Sequence, residues 1–234
     1  MYFPCWFLPG LPFGVLSCWG GYERPHATNL LCYCGDDGGV WDMNGLAVRN
    51  ILIPFIAPLG DIRIEVSIGA TRADVVCING SLSGYEIKGD SDPVTSQRFA
   101  RQIVAYDSVF DYCWLAVSGD TKTQVNAIRI IPGYWGLLSI HADRVCTLRT
   151  AAINPNQNAQ ELASQLWCSQ LMSFLKKRGI KLSYKRKETL TEAAAQFPID
   201  DIRAAVISEW KNRKVEPNMK WKARKVTAIA PEGE

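Results

Sequence analysis

Between residues 62 and 88 the chain carries three short runs of strand character, and no other segment restricts its fold as tightly. Ile62-Arg63-Ile64-Glu65-Val66-Ser67-Ile68 alternates apolar and polar side chains with the period of two that a half-buried strand requires. Asp74 to Ile78 forms a second run, Asn79-Gly80 offers a hairpin turn, and Gly84 to Lys88 returns as a third. A helical pattern over about 43–57 (Leu46, Val48, Ile51, Leu52, Phe55) precedes them and is stopped by Pro58 and Gly60. Residues 95–109 predict a second helix, with Phe99, Ile103, Tyr106 and Phe110 on its apolar side. Tyr112 to Val117 reads as a buried strand, about 122–129 as a short helix, and Tyr134 to Ile140 as a further strand.

The character changes after residue 150. Asn154-Pro155-Asn156 has linker composition, and amphipathic segments follow at about 158–178, 188–196 and 199–213, separated by Gly179 and Pro198. The expected class is α/β: a core over 42–150 with a central mixed sheet flanked by helices, then a helical subdomain over 151–234. Residues 1–41 form an atypical extension with three tryptophans, four cysteines and little periodicity. Met43 stands directly before the first helical pattern, so a natural start at Met43 is one expectation. A peptide from residues 1–40 in the natively expressed protein would sink it.

The 234 residues suffice for one substantial domain, and 47% hydrophobic with 21% charged residues is ordinary for a globular chain. No window offers the 18 or so apolar residues of a spanning helix, and no Lys or Arg precedes Arg24 to make the n-region of a signal peptide. The expected location is the cytoplasm, with no membrane partner. Of the eight cysteines, Cys77, Cys113 and Cys168 lie in apolar stretches and read as small buried hydrophobes. Cys18, His26, Cys32 and Cys34 are the one set with any resemblance to zinc ligands, and no C-x-x-C pair supports it.

The net charge of +3 conceals an asymmetry. Residues 176–225 hold 15 Lys and Arg against 6 Asp and Glu, a local balance of +9, whereas residues 1–175 hold 11 against 15. A concentrated basic region points to a polyanion partner. Lys176, Lys177, Arg178, Lys185, Arg186 and Lys187 are the candidate nucleic-acid contacts there, with Lys220-Trp221-Lys222, Arg224 and Lys225 beyond them. Trp210 is expected to pack helix against helix.

The chemistry concentrates in Arg72-Ala73-Asp74 and Tyr85-Glu86-Ile87-Lys88. Side chains two apart on a strand share a face, so Glu86 and Lys88 project together while Ile87 enters the core. If the Asn79-Gly80 turn folds the runs together, Asp74 approaches the same face and two carboxylates meet a lysine at the edge of a sheet. Carboxylates suit Mg²⁺, which retains waters and engages phosphate oxygens. A metal so held polarises a phosphoryl group and lowers the pKa of bound water, and a lysine adds compact positive charge. Asp74 and Glu86 are the expected ligands of Mg²⁺ or Mn²⁺, with Lys88 orienting water or stabilising developing charge. The competing reading makes Glu86 and Lys88 a solvent-facing ion pair and Asp74 a turn residue.

This order, an Asp, a hairpin and then Glu-x-Lys, resembles the active-site motif of the PD-(D/E)XK nuclease superfamily. Ala73 stands where the motif's name has proline. Gln102-Ile103-Val104-Ala105-Tyr106 is similar to the Q-x-x-x-Y element of RecB-like members, and at i and i+4 Gln102 and Tyr106 share a helix face. The chain also resembles a group of small bacterial and phage nuclease-like proteins over roughly residues 43–225. They share residues 72–74, 79–88 and 101–106, together with Pro132-Gly133-Tyr134-Trp135-Gly136 and Asn154-Pro155-Asn156-Gln157. The resemblance implies a restriction-endonuclease-like core and metal-dependent phosphodiester hydrolysis, with DNA the expected polymer. It also implies catalytic roles for Asp74, Glu86, Lys88, Gln102 and Tyr106. An acidic residue before the first motif strand is common in the superfamily, which makes Glu65 a candidate metal ligand with Asp61 behind it. Arg98 and Arg101 are candidate phosphate contacts. Asp90 and Asp92 are expected to punctuate the turn or cap the helix after it.

Other schemes lack their residues. With His26 and His141 alone, paired-histidine phosphodiesterase sites have no material, and neither G-x-x-x-x-G-K-[ST] nor G-x-G-x-x-G occurs, so no nucleotide cofactor is expected. Gly80-Ser81-Leu82-Ser83-Gly84 has Leu82 where a serine-hydrolase elbow needs its nucleophile. Two alternatives to a nuclease remain: an inactive nuclease-fold module that binds nucleic acid, and a protein-interaction factor in phage–host conflict. A homodimer is compatible with all three.

Overall fold

The computed structural model describes residues 43–90, 92–118, 121–142, 144–180 and 186–213, with no side chains for 121–123. The expectations for residues 1–41, the Cys18/His26/Cys32/Cys34 set, Lys185 and the basic run from Lys220 lie outside the described residues.

Six strands form one sheet in sequence order: β1 (Asp61–Ile68), β2 (Thr71–Ile78), β3 (Leu82–Lys88), β4 (Tyr112–Ser118), β5 (Gly136–Ile140) and β6 (Val145–Arg149). The first three make an antiparallel meander. Strands β3, β4 and β5 are then mutually parallel, and β6 returns antiparallel to β5. Parallel neighbours need a crossover, supplied here by α2 (Gln97–Val109) and α3 (Thr121–Ile130). The sheet is therefore mixed and flanked by helices, as expected. β6 had no expectation attached: Val-Cys-Thr-Leu-Arg is too short to show a period, and its side chains stay half-exposed.

Both faces of the sheet are covered. On one, α1 (Gly45–Ile56) lays Val48, Leu52, Ile53 and Ile56 over Val75, Cys77, Tyr85 and Ile87. On the other, α2 packs Phe99, Tyr106 and Val109 against Leu82, Leu115 and Leu137. Four further helices join that second core: α4 (Ala159–Ala163), α5 (Cys168–Lys177), α6 (Lys187–Ala194) and α7 (Ile199–Asn212). They contribute Leu162, Phe174, Leu190 and Trp210 to the same apolar cluster. The helical segment expected over 158–178 is broken at Ser164–Trp167, which divides it into α4 and α5.

Polar ties fix these helices to the sheet. Asn154 is 5% exposed and donates through Nδ2 to Asp107 O at 2.7 Å and Phe110 O at 2.8 Å, so the Asn-Pro-Asn stretch is a docked loop and not a free linker. Asp111, 2% exposed, accepts from Leu82 N at 2.7 Å and pairs with Arg203 of α7 at 2.6 Å. Arg63 of β1 donates to the carbonyls of Trp210 and Lys211 at the end of α7.

The feature that shapes the site is a change of face in the β1–β2 ribbon. Ile62 and Ile64 pack on the α1 side, yet Val66 and Ile68 pack on the α2 side. Strict alternation would keep all four together. The switch falls at Glu65, whose φ of +54° is left-handed and is the one non-glycine case among the described residues. Its neighbour β2 turns over at the same level: Ala73 faces α2, whereas Val75 and Cys77 face α1. The β2–β3 ladder also stops at Val75↔Tyr85, so beyond it β2 parts from β3. Glu65 and Asp74 thus occupy the point where the ribbon rolls over and the ladder opens.

Candidate active site

Because the ladder opens above Val75, the N–H of Ile87 has no strand partner on that side, and the Asp74 side chain supplies one. Ile87 N donates to Asp74 Oδ2 at 2.8 Å. Asp74 is thereby held beside Glu86 and Lys88, as the hairpin predicted. The centre does not sit on an edge strand, however. β3 is third of six, and Glu86 and Lys88 are 1% and 7% exposed. That burial removes the reading in which they form a solvent-facing pair.

Lys88 Nζ donates to Glu86 Oε1 at 2.7 Å and to Gln102 Oε1 at 3.2 Å, and lies 5.1 Å from the centroid of the Phe99 ring. An ammonium has three donors, and these two acceptors use two of them. Tyr106, fully buried one helical turn beyond Gln102, accepts from Asp74 N at 3.2 Å. Its hydroxyl lies 2.9 Å from Glu86 Oε2 and 3.0 Å from Tyr85 O, so its single proton is shared between two acceptors. Tyr106 holds the Glu86 carboxylate and the Asp74 backbone, whereas Glu86 and Gln102 are joined through Lys88.

Burial pushes the Asp74 carboxyl up to about 7, and the nearby Glu86 charge adds to the effect against the opposing Ile87 N–H and Lys88. Burial also raises Glu86, with Lys88 and Tyr106 pulling it back. Tyr106 is raised well above the usual phenol range by burial and by the carboxylates beside it. Two carboxylates in one desolvated place with one lysine leave an excess of negative charge, which a proton on Asp74 relieves near neutral pH.

A cavity of about 230 Å³ opens on this centre, lined by Asp74, Glu86, Lys88, Glu65, Arg49 and Arg98 among others. Glu65 reaches its wall, but its carboxylate is held by Arg49 at 3.0 Å and Arg72 at 3.7 Å. Asp61 pairs instead with Lys211 at 3.6 Å. Asp92 accepts from Gly89 N at 3.1 Å and closes the turn, whereas Asp90 ties it to Met43 N at 2.5 Å and to Ser118 Oγ, and Ser96 caps α2. Arg98 and Arg101 are exposed on the outer side of α2 beside Asp74.

The basic residues of the helical region divide. Lys176 and Lys177 are exposed in the last turn of α5, and Lys187 is exposed at the start of α6. Arg186 precedes α6 as its N-cap residue. Arg178 pairs with Asp201 at 3.0 Å and stacks 3.7 Å from the Phe174 ring, so its guanidinium ties α5 to α7. Arg49 is a site residue with no signal in the sequence, and Arg72, part of the Arg72-Ala73-Asp74 run, had no role attached to it. Arg72 was legible, since it stands two before Asp74 on the same strand. Arg49 was not, because only the fold brings α1 to Glu65.

The donor set fits a hard divalent cation in a limited way. Among the described residues no three His, Cys, Asp or Glu side chains converge as a ready metal cage. Mg²⁺ needs only one or two carboxylates when waters and a substrate phosphate complete its shell. Asp74 and Glu86, both oxygen donors with more negative charge than Lys88 neutralises, meet that requirement.

Fold and centre together define an α/β protein with a buried glutamate–lysine pair beside a half-buried aspartate at an opened strand ladder. The chain belongs to the Bacteriophage P4 protein cII family, whose model matches residues 62–233 and so contains Glu65, Asp74, Glu86, Lys88, Gln102 and Tyr106. No curated protein matches the chain. One solved structure is similar, a protein of unknown function from Silicibacter pomeroyi, at 16% identity and a TM-score of 0.38, covering 74% of this chain and 97% of its own. No helix among the described residues is long and apolar enough to cross a membrane.

Proposed function

We propose that the protein is a metal-dependent phosphodiesterase acting on nucleic acid, as the PD-(D/E)XK resemblance implies. The observation that carries the reading is the Asp74–Glu86–Lys88 group, desolvated, mutually coupled and opening onto a cavity with arginines at its rim. Buried charge of this kind is expensive for a fold and collects at functional sites.

On this reading Asp74 and Glu86 hold Mg²⁺ or Mn²⁺, which supplies Lewis-acid polarisation of the phosphate and a more acidic bound water. The chain's own residues then divide the remaining tasks. Asp74 gives up its proton to act as a ligand. Lys88 turns its remaining donor toward the cavity, where it orients the attacking water or stabilises charge developing on phosphate oxygens. Gln102 accepts from Lys88 and fixes its direction. Tyr106 braces the Asp74 backbone and the Glu86 carboxylate, so the two approach a cation without rearranging. Glu65 stands by as a further carboxylate, neutralised by Arg49 and Arg72.

The test is cleavage of supercoiled plasmid, linear duplex and single-stranded DNA with Mg²⁺, Mn²⁺ or EDTA. Wild type is compared with Lys88→Ala and Asp74→Ala. Metal-dependent cutting that falls by about a hundredfold or more in both variants supports the reading. Intact substrates with wild type under every metal would sink it.

A further inference from the structure

Beside the catalytic cavity runs a second depression of about 570 Å³, and the two share Glu65, Asp74 and Arg98. Its walls are the β1–β2 turn at Gly69, Ala70 and Thr71 on one side and α2 at Arg98, Arg101 and Ala105 on the other. Arg72, Arg98 and Arg101 are all exposed, and all three border it. The groove therefore leads directly to Asp74 between two arginine-bearing walls.

Resting on the phosphodiesterase reading, the geometry points to an unpaired polynucleotide strand as the substrate, threaded through this groove with its phosphates on Arg72, Arg98 and Arg101. Size is the first argument. A volume of this order matches pockets that take ligands of one or two nucleotide units. A duplex carries two backbones and the paired bases between them, more than a depression of about 570 Å³ can take in. Depth is the second. Glu86 and Lys88 are nearly solvent-inaccessible, so the scissile phosphate must descend to them, which a strand freed from its complement can do. Chemistry is the third. The groove borders are small, charged or, at Gln102, amide residues with no aromatic ring for base stacking, so recognition falls on the backbone. The φ of +54° at Glu65 fits this picture, because the roll turns the β1–β2 ribbon beyond it toward α2, and those two elements are the groove's walls.

The experiment is fluorescence anisotropy of the full chain with a labelled oligodeoxythymidylate and with a blunt duplex of equal length, in EDTA so that nothing is cut. The single strand is expected to bind at least about tenfold tighter, and Arg98→Ala/Arg101→Ala to abolish that preference. That double variant should also lower the slope of log affinity against log salt by about 1.4, near 0.7 per lost phosphate contact. Arg129→Ala, at an exposed residue of α3 that lines neither depression, is expected to leave the preference intact. Equal or tighter duplex binding, no binding to either probe, or an unchanged preference in the arginine variant overturns the inference. The two readings fail separately. Arginine-dependent strand preference without metal-dependent cleavage removes the phosphodiesterase and keeps the groove. Cutting within duplex DNA without strand preference does the reverse.

Discussion

Asp74 is stable in its place only by compromise. Its carboxylate satisfies Ile87 N, but the site holds its proton up to a pH of about 7 against an ordinary value of 3.8. A carboxyl whose pKa is raised on folding binds more protons folded than unfolded between those values. Stability therefore falls as pH rises from about 4 to 7 and is flat above. Asp74→Asn keeps an acceptor for Ile87 N and removes the ionisation. It is expected to raise thermal stability at pH 8 by roughly 4–8 °C, for about 2 kcal/mol after allowance for partial exposure. The difference should vanish near pH 4, and melting curves at the two pH values check it. Tyr106→Phe removes a buried hydroxyl that meets Asp74 N, Glu86 and Tyr85 O. Its expected cost is about 1–3 kcal/mol in denaturant unfolding. Turnover should fall further in that variant than substrate affinity does, since the Tyr106 hydroxyl meets Glu86 and the backbone of Asp74 and Tyr85 and lines neither cavity.

At the level of elements, the hairpin and α2 were legible because each motif residue obeys a local period. Glu86 and Lys88 are two apart on a strand, and Gln102 and Tyr106 are four apart on a helix. The rollover at Glu65 was illegible for the same reason. A strand with unbroken polar alternation gives no sign that one residue adopts a left-handed φ and reverses its face. Ion pairing of Glu65 to Arg49, 16 positions away on α1, is likewise set by packing and not by spacing. β6 was lost to its brevity, and Asn154 passed for a linker because an Asn-Pro-Asn sequence looks the same whether its amide is in water or against Asp107 and Phe110. Gly84 carries a clearer message. A Cβ there would enter the Phe110 ring, so β3 and the end of α2 pack as closely as they do only with glycine. Gly84→Ala is expected to destabilise by about 1–3 kcal/mol, measured by urea unfolding.

Taken whole, the described residues are organised by one sheet with two apolar faces, and the second face is shared by α2 and the four C-terminal helices. The boundary expected near residue 150 is a boundary of composition, and the apolar cluster crosses it. Asp111→Ala leaves the guanidinium of Arg203 and the N–H of Leu82 without their buried partner. It should cost about 3–5 kcal/mol and lower the whole transition together, with no separate melting of α7 in calorimetry. Function at this scale depends on whether the sheet has gathered Asp74 and Glu86 to hold a cation or merely tolerates them. Calorimetric titration of Mn²⁺ into the full-length protein at pH 8, with Asp74→Asn beside it, decides that. A saturable heat from the wild type that is abolished in Asp74→Asn, whose melting temperature is no lower, is the expected result. The same heat in both proteins, or none in the wild type even with a single-stranded oligonucleotide bound, would contradict a metal centre at this site.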